Sequence, residues 1–325
     1  MKKYTIGIDL GGTNTKIALV GDSCDIIKRE QFSTKLYKTK EDLVFAISGV
    51  IKKMISGYSL KESQISGIGI GAPGLVDSDR GIVHCLTNIP GWENVNLKNL
   101  LQRKIHFETY IDNDVNLMAL AESKFGAAKG AKEVFCVTLG TGVGGGIVID
   151  GKIYRGYTQS AGEIGHVSIN SNGPKCNCGN KGCIESYIGN NAIVENVVAR
   201  IKSGTPSILK ELTGGQLDKI TPHMITQAAK KGDKLSIQIW AIVAEYLSVG
   251  LVMVVNVFNP QIIVIGGGIA EAGKFLFDPL RKKVRENAIA VSSKAVHIVK
   301  AKLGNDAGII GAAELVRMQK TRKVL

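Results

Sequence analysis

The chain opens without an apolar leader. Met1-Lys2-Lys3 runs straight into a strand-like segment, with no long h-region and no small-residue cleavage site, so no signal peptide is expected. It also lacks Gly-x-Gly-x-x-Gly and the Walker pattern, which sets aside a Rossmann dinucleotide site and a P-loop. The formal charge of +13 comes without basic–aromatic interleaving or a helix-turn-helix pattern, so nucleic acid is not an expected partner. The lysines are scattered, and such a field would steer a small polyanionic substrate inward. No low-complexity stretch or flexible linker breaks the 325 residues, enough for two lobes with a core each. One apolar run, 239–258, has the length of a membrane span. Glu245 near its middle and the lack of a second run favour a buried helix, so no membrane partner is expected. The tail bears Arg317, Lys320, Arg322 and Lys323 without an acidic partner and reads as a solvated helix end.

What is present is concentrated. His166, Cys176, Cys178 and Cys183 supply one imidazole and three thiolates within eighteen residues. That is the ligand complement of a closed, four-coordinate structural Zn²⁺ site, with no position open for a catalytic water. A surface disulfide is the alternative, but it leaves the clustering unexplained. Glu163 and Glu185 stand just outside the ligand set, so a metal clip would hold two carboxylates near each other. Six cysteines without a secretion signal point to a reducing, cytoplasmic setting. Cys136, in an apolar segment, reads as a small core residue; Cys24 and Cys85 carry no argument.

Alternation predicts a strand over Tyr4–Leu10, a tight turn at Gly11-Gly12 and a return strand at 16–20. The same strand, glycine turn and strand recur at 133–149. Further strands are expected at 65–70, 109–111 and 262–265, with helices at 41–56, 115–125, 190–202, 224–258 and from Ala307 to Lys320. An approximate duplication follows: an α/β protein of two lobes facing a cleft.

The glycine turns carry the chemistry. Asp9, Gly11, Gly12, Thr13 and Thr15 offer a close-approach backbone, two hydroxyls for phosphate oxygens and a carboxylate for Mg²⁺. Gly140, Thr141, Gly142 and Gly144 form a second such loop. Two of them are more specific than one, because together they can grip one nucleotide. Gly267 and Gly268 form a third turn, suited to a flat adenine or simply to a strand-to-helix corner. Asp114, at a strand-to-helix junction, is the candidate general base for a hydroxyl attacking a γ-phosphate. A plain helix N-cap is its other reading.

Asp9-Leu10-Gly11-Gly12-Thr13, Asn113-Asp114, Leu139-Gly140-Thr141-Gly142-Val143-Gly144-Gly145-Gly146, Glu163-Ile164-Gly165-His166 and the Cys176–Glu185 block occur in that order. Together they resemble the ROK family of the actin-like ATPase superfamily, from about residue 4 to about 316. Within it the chain is similar to the bacterial ROK glucokinases, also at Leu303-Gly304-Asn305-Asp306-Ala307-Gly308 and Asn88-Ile89-Pro90-Gly91-Trp92. The resemblance implies a two-lobed, duplicated ribonuclease H-like fold with a cleft, and ATP-dependent phosphorylation of a hexose at its 6-hydroxyl. Asp114 matches the catalytic base. Asn88, Asn113, Glu163, His166 and Glu185 match positions that bind sugar hydroxyls, His166 serving metal and sugar with different ring nitrogens. The expected lobes are 1–113 completed by a C-terminal helix at 307–325, and 114–306. A homodimer is expected. A kinase for fructose, N-acetylmannosamine or allose is the near alternative, and a non-catalytic sugar-binding regulator a remote one. A ROK repressor would need a DNA-binding domain ahead of Asp9, where eight residues stand.

Overall fold

The computed structural model describes residues 3–86 and 89–324, with 322–324 described by backbone alone; Asn88, an expected sugar contact, lies outside the described residues. Along the chain, β1 (Tyr4–Leu10), β2 (Asn14–Gly21) and β3 (Ile26–Ser33) precede α1 (Lys40–Gly57), β4 (Ile65–Ala72), β5 (Val76–Asp77), β6 (Ile82–Cys85) and β7 (Glu93–Asn96). Next come α2 (Leu97–Ile105), β8 (Thr109–Asn113), α3 (Asp114–Lys124), β9 (Val134–Leu139), β10 (Val143–Ile149) and β11 (Lys152–Tyr154). The rest is mainly helical: α4 (Glu185–Ile188), α5 (Asn190–Lys202), α6 (Leu209–Leu212), α7 (Pro222–Lys230) and α8 (Lys234–Phe258). It closes with β12 (Ile262–Gly266), α9 (Lys274–Asn287), α10 (Ala290–Ala295), β13 (His297–Lys300) and α11 (Ala307–Val324).

Contacts divide the chain into two compact units, one of residues 1–130, 146–161 and 303–325, the other of 131–145 and 162–302. The first is built on a sheet of order β3-β2-β1-β4-β8. β2 returns antiparallel on β1, with Asp9 opposite Lys16, while β4 runs parallel to β1 and β8 parallel to β4. The alternation read in β1 has a direct cause: Ile6, Ile8 and Leu10 point into a core shared with Leu43, Ile47 and Ile51 of α1. This division differs from the boundary expected at 113/114. The reason is α3, whose Leu117 and Leu120 pack against Ala312 and Leu315 of α11. Arg317 of α11 also departs from the solvated tail expected: it donates to the carbonyl of Gly21 at 2.5 Å and to Cys24, and pairs with Glu314 at 3.5 Å.

In the second unit β12 pairs parallel with both β9 and β13. The expected helix over 224–258 is two helices, because Gly232 takes φ +86° and Asp233 starts α8 by accepting from the Ser236 amide at 2.9 Å. α8 is long and apolar enough to cross a membrane by length and composition. Its Trp240, Leu247 and Leu251 are nonetheless buried in protein, and Glu245 pairs with Lys283 of α9 at 3.5 Å. Cys136 of β9 is fully buried, as its apolar surroundings suggested.

Candidate functional site

In the first unit the β1–β2 turn closes with the Gly11 amide donating to the Asn14 carbonyl at 3.0 Å. Thr13 is exposed beside it, free to meet a ligand. Thr15 is not: it is fully buried, and its hydroxyl shares a 2.9 Å hydrogen bond with Thr34, which donates to the Gly11 carbonyl at 2.8 Å. Strand alternation turns residue 15 inward, so it braces the loop instead of presenting a hydroxyl to phosphate. Asp9, next to last in β1, has Oδ2 3.2 Å from the Lys16 ammonium. Lys16, which sequence reading passed over, adds a cation to this loop, and its ammonium also reaches the Asn305 carbonyl at 3.4 Å.

The β8–α3 junction assigns its two residues different work. Asn113 is the helix cap, its Oδ1 accepting from the amides of Val115 at 2.8 Å and Asn116 at 3.1 Å. Its Nδ2 donates to the Gly74 carbonyl at 3.0 Å, tying down the turn after β4. With Asn113 as cap, Asp114 stands in the first turn of α3, half-buried, with Oδ1 2.9 Å from the Val115 amide. Beneath them lies a pair that sequence reading missed. Asp112, 1% exposed, receives Arg155 Nε at 2.8 Å and a second guanidinium N–H on Oδ2. Its Oδ1 accepts from the Asn113 amide at 2.8 Å and Asn116 Nδ2 at 3.0 Å. The bond from the Asn113 amide fixes the backbone from which Asp114 projects, and the side-chain bonds hold the Asp112 carboxylate in place for it.

In the second unit the β9–β10 turn closes with the Gly140 amide on the Gly142 carbonyl at 3.0 Å, leaving Thr141 exposed and a Cβ at Gly140 unopposed within 4 Å. Gly142 and Gly144 are partly exposed. A Cβ at Gly142 would stand 2.5 Å from Glu185 Oε2, the same oxygen that accepts from the Val143 amide at 2.9 Å. Gly267 has φ +84°, and a Cβ there would fall 2.2 Å from the Leu139 carbonyl. Its close approach is thus to strand β9, whereas Gly268 has open space for a ligand.

His166, Cys176, Cys178 and Cys183 come together with their ligand atoms within 4.8 Å of one another. Cys176 Sγ is 3.7 Å from His166 Nδ1, and Cys178 Sγ is 3.7 Å from Cys183 Sγ. Around a tetrahedral ion with metal–sulfur bonds of about 2.3 Å, two sulfurs stand about 3.8 Å apart, so the group can hold a metal. The thiols respond to their crowding. Burial opposes ionisation of Cys176, but hydrogen bonds from Cys178, Ser186 and His166 outweigh it and bring the thiol to about 6. Burial, then the sulfurs of Cys178 and Cys176, push Cys183 up to about 12. Ionising all three thiols this close together would call for a cation among them.

The same segment holds the expected sugar contacts of this unit. With Nδ1 facing the sulfurs, His166 turns Nε2 towards Glu163 Oε2, 3.9 Å away. Burial pushes the Glu163 carboxyl above its ordinary value; His166 opposes this and Glu185 adds to it. Cys183 leads directly into Ile184, fully buried, and Glu185, the first residue of α4. Tyr187 then stacks on Tyr246 of α8 at 4.4 Å, fastening the segment to the core of the unit.

The family model described as "ROK family" matches residues 5–319. A glucokinase of Thermotoga maritima is 35% identical over 316 residues, 97% of this chain and 98% of its own. A ROK family glucokinase from Streptomyces griseus, solved with glucose and AMPPNP, superposes with a TM-score of 0.82 at 33% identity, over 97% of this chain and 99% of that one. A xylose repressor of Caldicellulosiruptor bescii is 32% identical over 96% of this chain but 77% of its own length.

Arg155→Ala is expected to leave Asp112 as a buried, unpaired carboxylate and to destabilise the first unit by about 3–5 kcal/mol. Denaturant unfolding followed by circular dichroism measures this. A loss below about 1 kcal/mol would mean that the pair does not hold the β8–α3 junction.

Proposed function

The chain belongs to the ROK family, and we propose that it is a glucokinase, transferring the γ-phosphoryl group of ATP to the 6-hydroxyl of glucose. The observation that carries this reading is the division of labour at β8–α3: Asn113 caps the helix, so the Asp114 carboxylate is not consumed as its cap. In the proposed reaction the glucose O6–P bond forms as the bond from phosphorus to the β,γ-bridging oxygen breaks, and the O6 proton passes to Asp114. Phosphoryl transfer asks mainly for positioning and charge neutralisation. Thr13, Gly11, Gly12, Thr141, Gly140 and Gly144 are proposed to receive phosphate oxygens, with Gly268 beside the adenosine.

Glu163, His166, Glu185, Asn113 and Asn88 are proposed to bind the sugar hydroxyls. Glu185 touches both functions of its unit, since it also holds the Val143 amide of the glycine loop. A side chain at position 142 would therefore disturb sugar binding as well as the nucleotide loop, a consequence of the 2.5 Å approach to Glu185. Mg²⁺ arriving with the nucleotide would neutralise charge on the β- and γ-phosphates. Asp9 would hold it through water, its Oδ2 already taken by the Lys16 ammonium. Zn²⁺ is the metal proposed for His166, Cys176, Cys178 and Cys183, a four-ligand set that keeps it structural.

A homodimer and a cytoplasmic setting complete the proposal. Val249, Met253 and Val257 expose one face of α8, and Ile289 and Val291 continue it beside Asn256, whose Oδ1 receives the Ile289 amide at 3.0 Å. Such an apolar face suits a second copy of the chain. The six free cysteines suit a reducing compartment.

Asp114→Asn is expected to keep glucose and AMPPNP binding by calorimetry while lowering kcat by roughly 10²–10⁴-fold. Binding retained with turnover within about threefold of the parent would remove Asp114 from the role of base. Metal analysis is expected to find about one zinc per chain. Cys183→Ala should lose it, open 163–185 to limited proteolysis, and weaken glucose binding more than AMPPNP binding. Metal-free protein that phosphorylates glucose at full rate would contradict the clip, as would a Cys176–Cys183 disulfide in active enzyme.

A further inference from the structure

The second unit contains a basic cavity that none of the functions above uses. The C-terminal half of α9, together with α10 and β13, encloses about 440 Å³. Its lining includes Arg281, Arg285, Lys294 and His297, and no carboxylate among the described residues. Arg285, Lys294 and His297 have no ion pair among the described residues, and Arg281 has only Asp278, at 3.8 Å. Four nitrogen-bearing side chains from three elements thus line one hollow that has no carboxylate in its lining among the described residues. Val284 and Ile298, 1% and 6% exposed, give it an apolar wall.

Arg281 is held before any ligand arrives. Its Nε donates to the Ile298 carbonyl at 2.9 Å, and its guanidinium lies 5.2 Å from the centre of the Phe277 ring. A guanidinium fixed this way loses less freedom on forming further bonds, which is the property that suits arginine to phosphate and carboxylate recognition. Arg285 follows it by one helical turn on the same face of α9.

The location separates the cavity from the nucleotide loop of the same unit. His297 begins β13 opposite Ile262, the first residue of β12, whereas the Gly266–Gly268 turn begins at the last residue of that strand. The two sites therefore lie at opposite ends of parallel strands about 13 Å long. Nucleotides bind parallel sheets at the carboxyl ends of the strands, and this cavity is at the amino ends.

We propose that this cavity binds a small anion bearing phosphate, with its charge on Arg281, Arg285, Lys294 and His297 and any carbon skeleton against Val284 and Ile298. The assignment does not rest on the kinase reading, since no residue is shared. Part of the chain's excess positive charge thereby has a specific use.

Histidine NMR on the full chain reads the site directly, with pyrophosphate as probe at a constant ionic strength of about 0.15 M. The His297 imidazole signal, assigned through His297→Gln, is expected to shift saturably with a Kd below about 1 mM. Arg285→Ala combined with Lys294→Ala changes two exposed side chains, so its unfolding midpoint should be kept while the affinity falls at least about tenfold. A signal that does not move, that drifts without saturating up to about ten times that concentration, or that saturates equally in the double variant would overturn the site.

Discussion

Three sulfurs and an imidazole nitrogen within 4.8 Å of one another impose the constraint on which the second unit's chemistry depends. Thiols at that separation repel as they ionise, and a metal bound there would turn the repulsion into four bonds. The consequence reaches beyond the ligands. His166 is oriented with Nδ1 inward, Glu163 is three residues before it, and Glu185 is two residues after Cys183. Glu185 in turn grips the Val143 amide beside the glycine loop. The proposed clip would thus set the attitude of two carboxylates, one imidazole and the edge of a glycine turn.

The first unit obtains its rigidity differently, from a buried ion pair and a helix cap. Asp112 is surrounded by donors, two from Arg155, one from the Asn113 amide and one from Asn116. Buried carboxylates are costly unless so satisfied, and the same bonds that satisfy this one specify a single junction geometry. Asn113 puts its Oδ1 and one Nδ2 hydrogen to structural use, and the other Nδ2 hydrogen is the donor proposed for the sugar. Asp114 is left at the start of α3, where the helix N-terminus stabilises a carboxylate. Precision at the proposed base comes from its neighbours' hydrogen bonds, which suits a reaction whose barrier responds to small misplacements.

What was legible in the sequence was local. The metal ligands lie within one short loop, and the two strand–turn–strand units announce themselves through alternation and paired glycines. Thr15 was misread because a hydroxyl near a glycine turn is ambiguous until the pleat decides its face. The Asp112–Arg155 pair was invisible, since 43 residues separate its members and nothing in either neighbourhood marks the other. The boundary at 113/114 moved because α3 and α11, far apart in sequence, share one apolar contact surface. Strands as short as β5, with two residues, carry too little alternation to be read without tertiary contacts, whereas α9 was legible in the helical spacing of Leu276, Phe277, Leu280 and Val284 and was passed over.

Specificity is where the account meets its most direct test. Hexose epimers differ by one hydroxyl, and a site that hydrogen-bonds a hydroxyl rejects the sugar lacking it there far better than an apolar pocket would. The measurement is kcat/KM with ATP for glucose, fructose, N-acetylmannosamine and allose, with product formation followed by phosphorus NMR. The account predicts glucose 6-phosphate as product and a preference for glucose of at least about tenfold over each rival. A higher kcat/KM for any of the other three, or no glucose-dependent phosphoryl transfer from ATP, would contradict it.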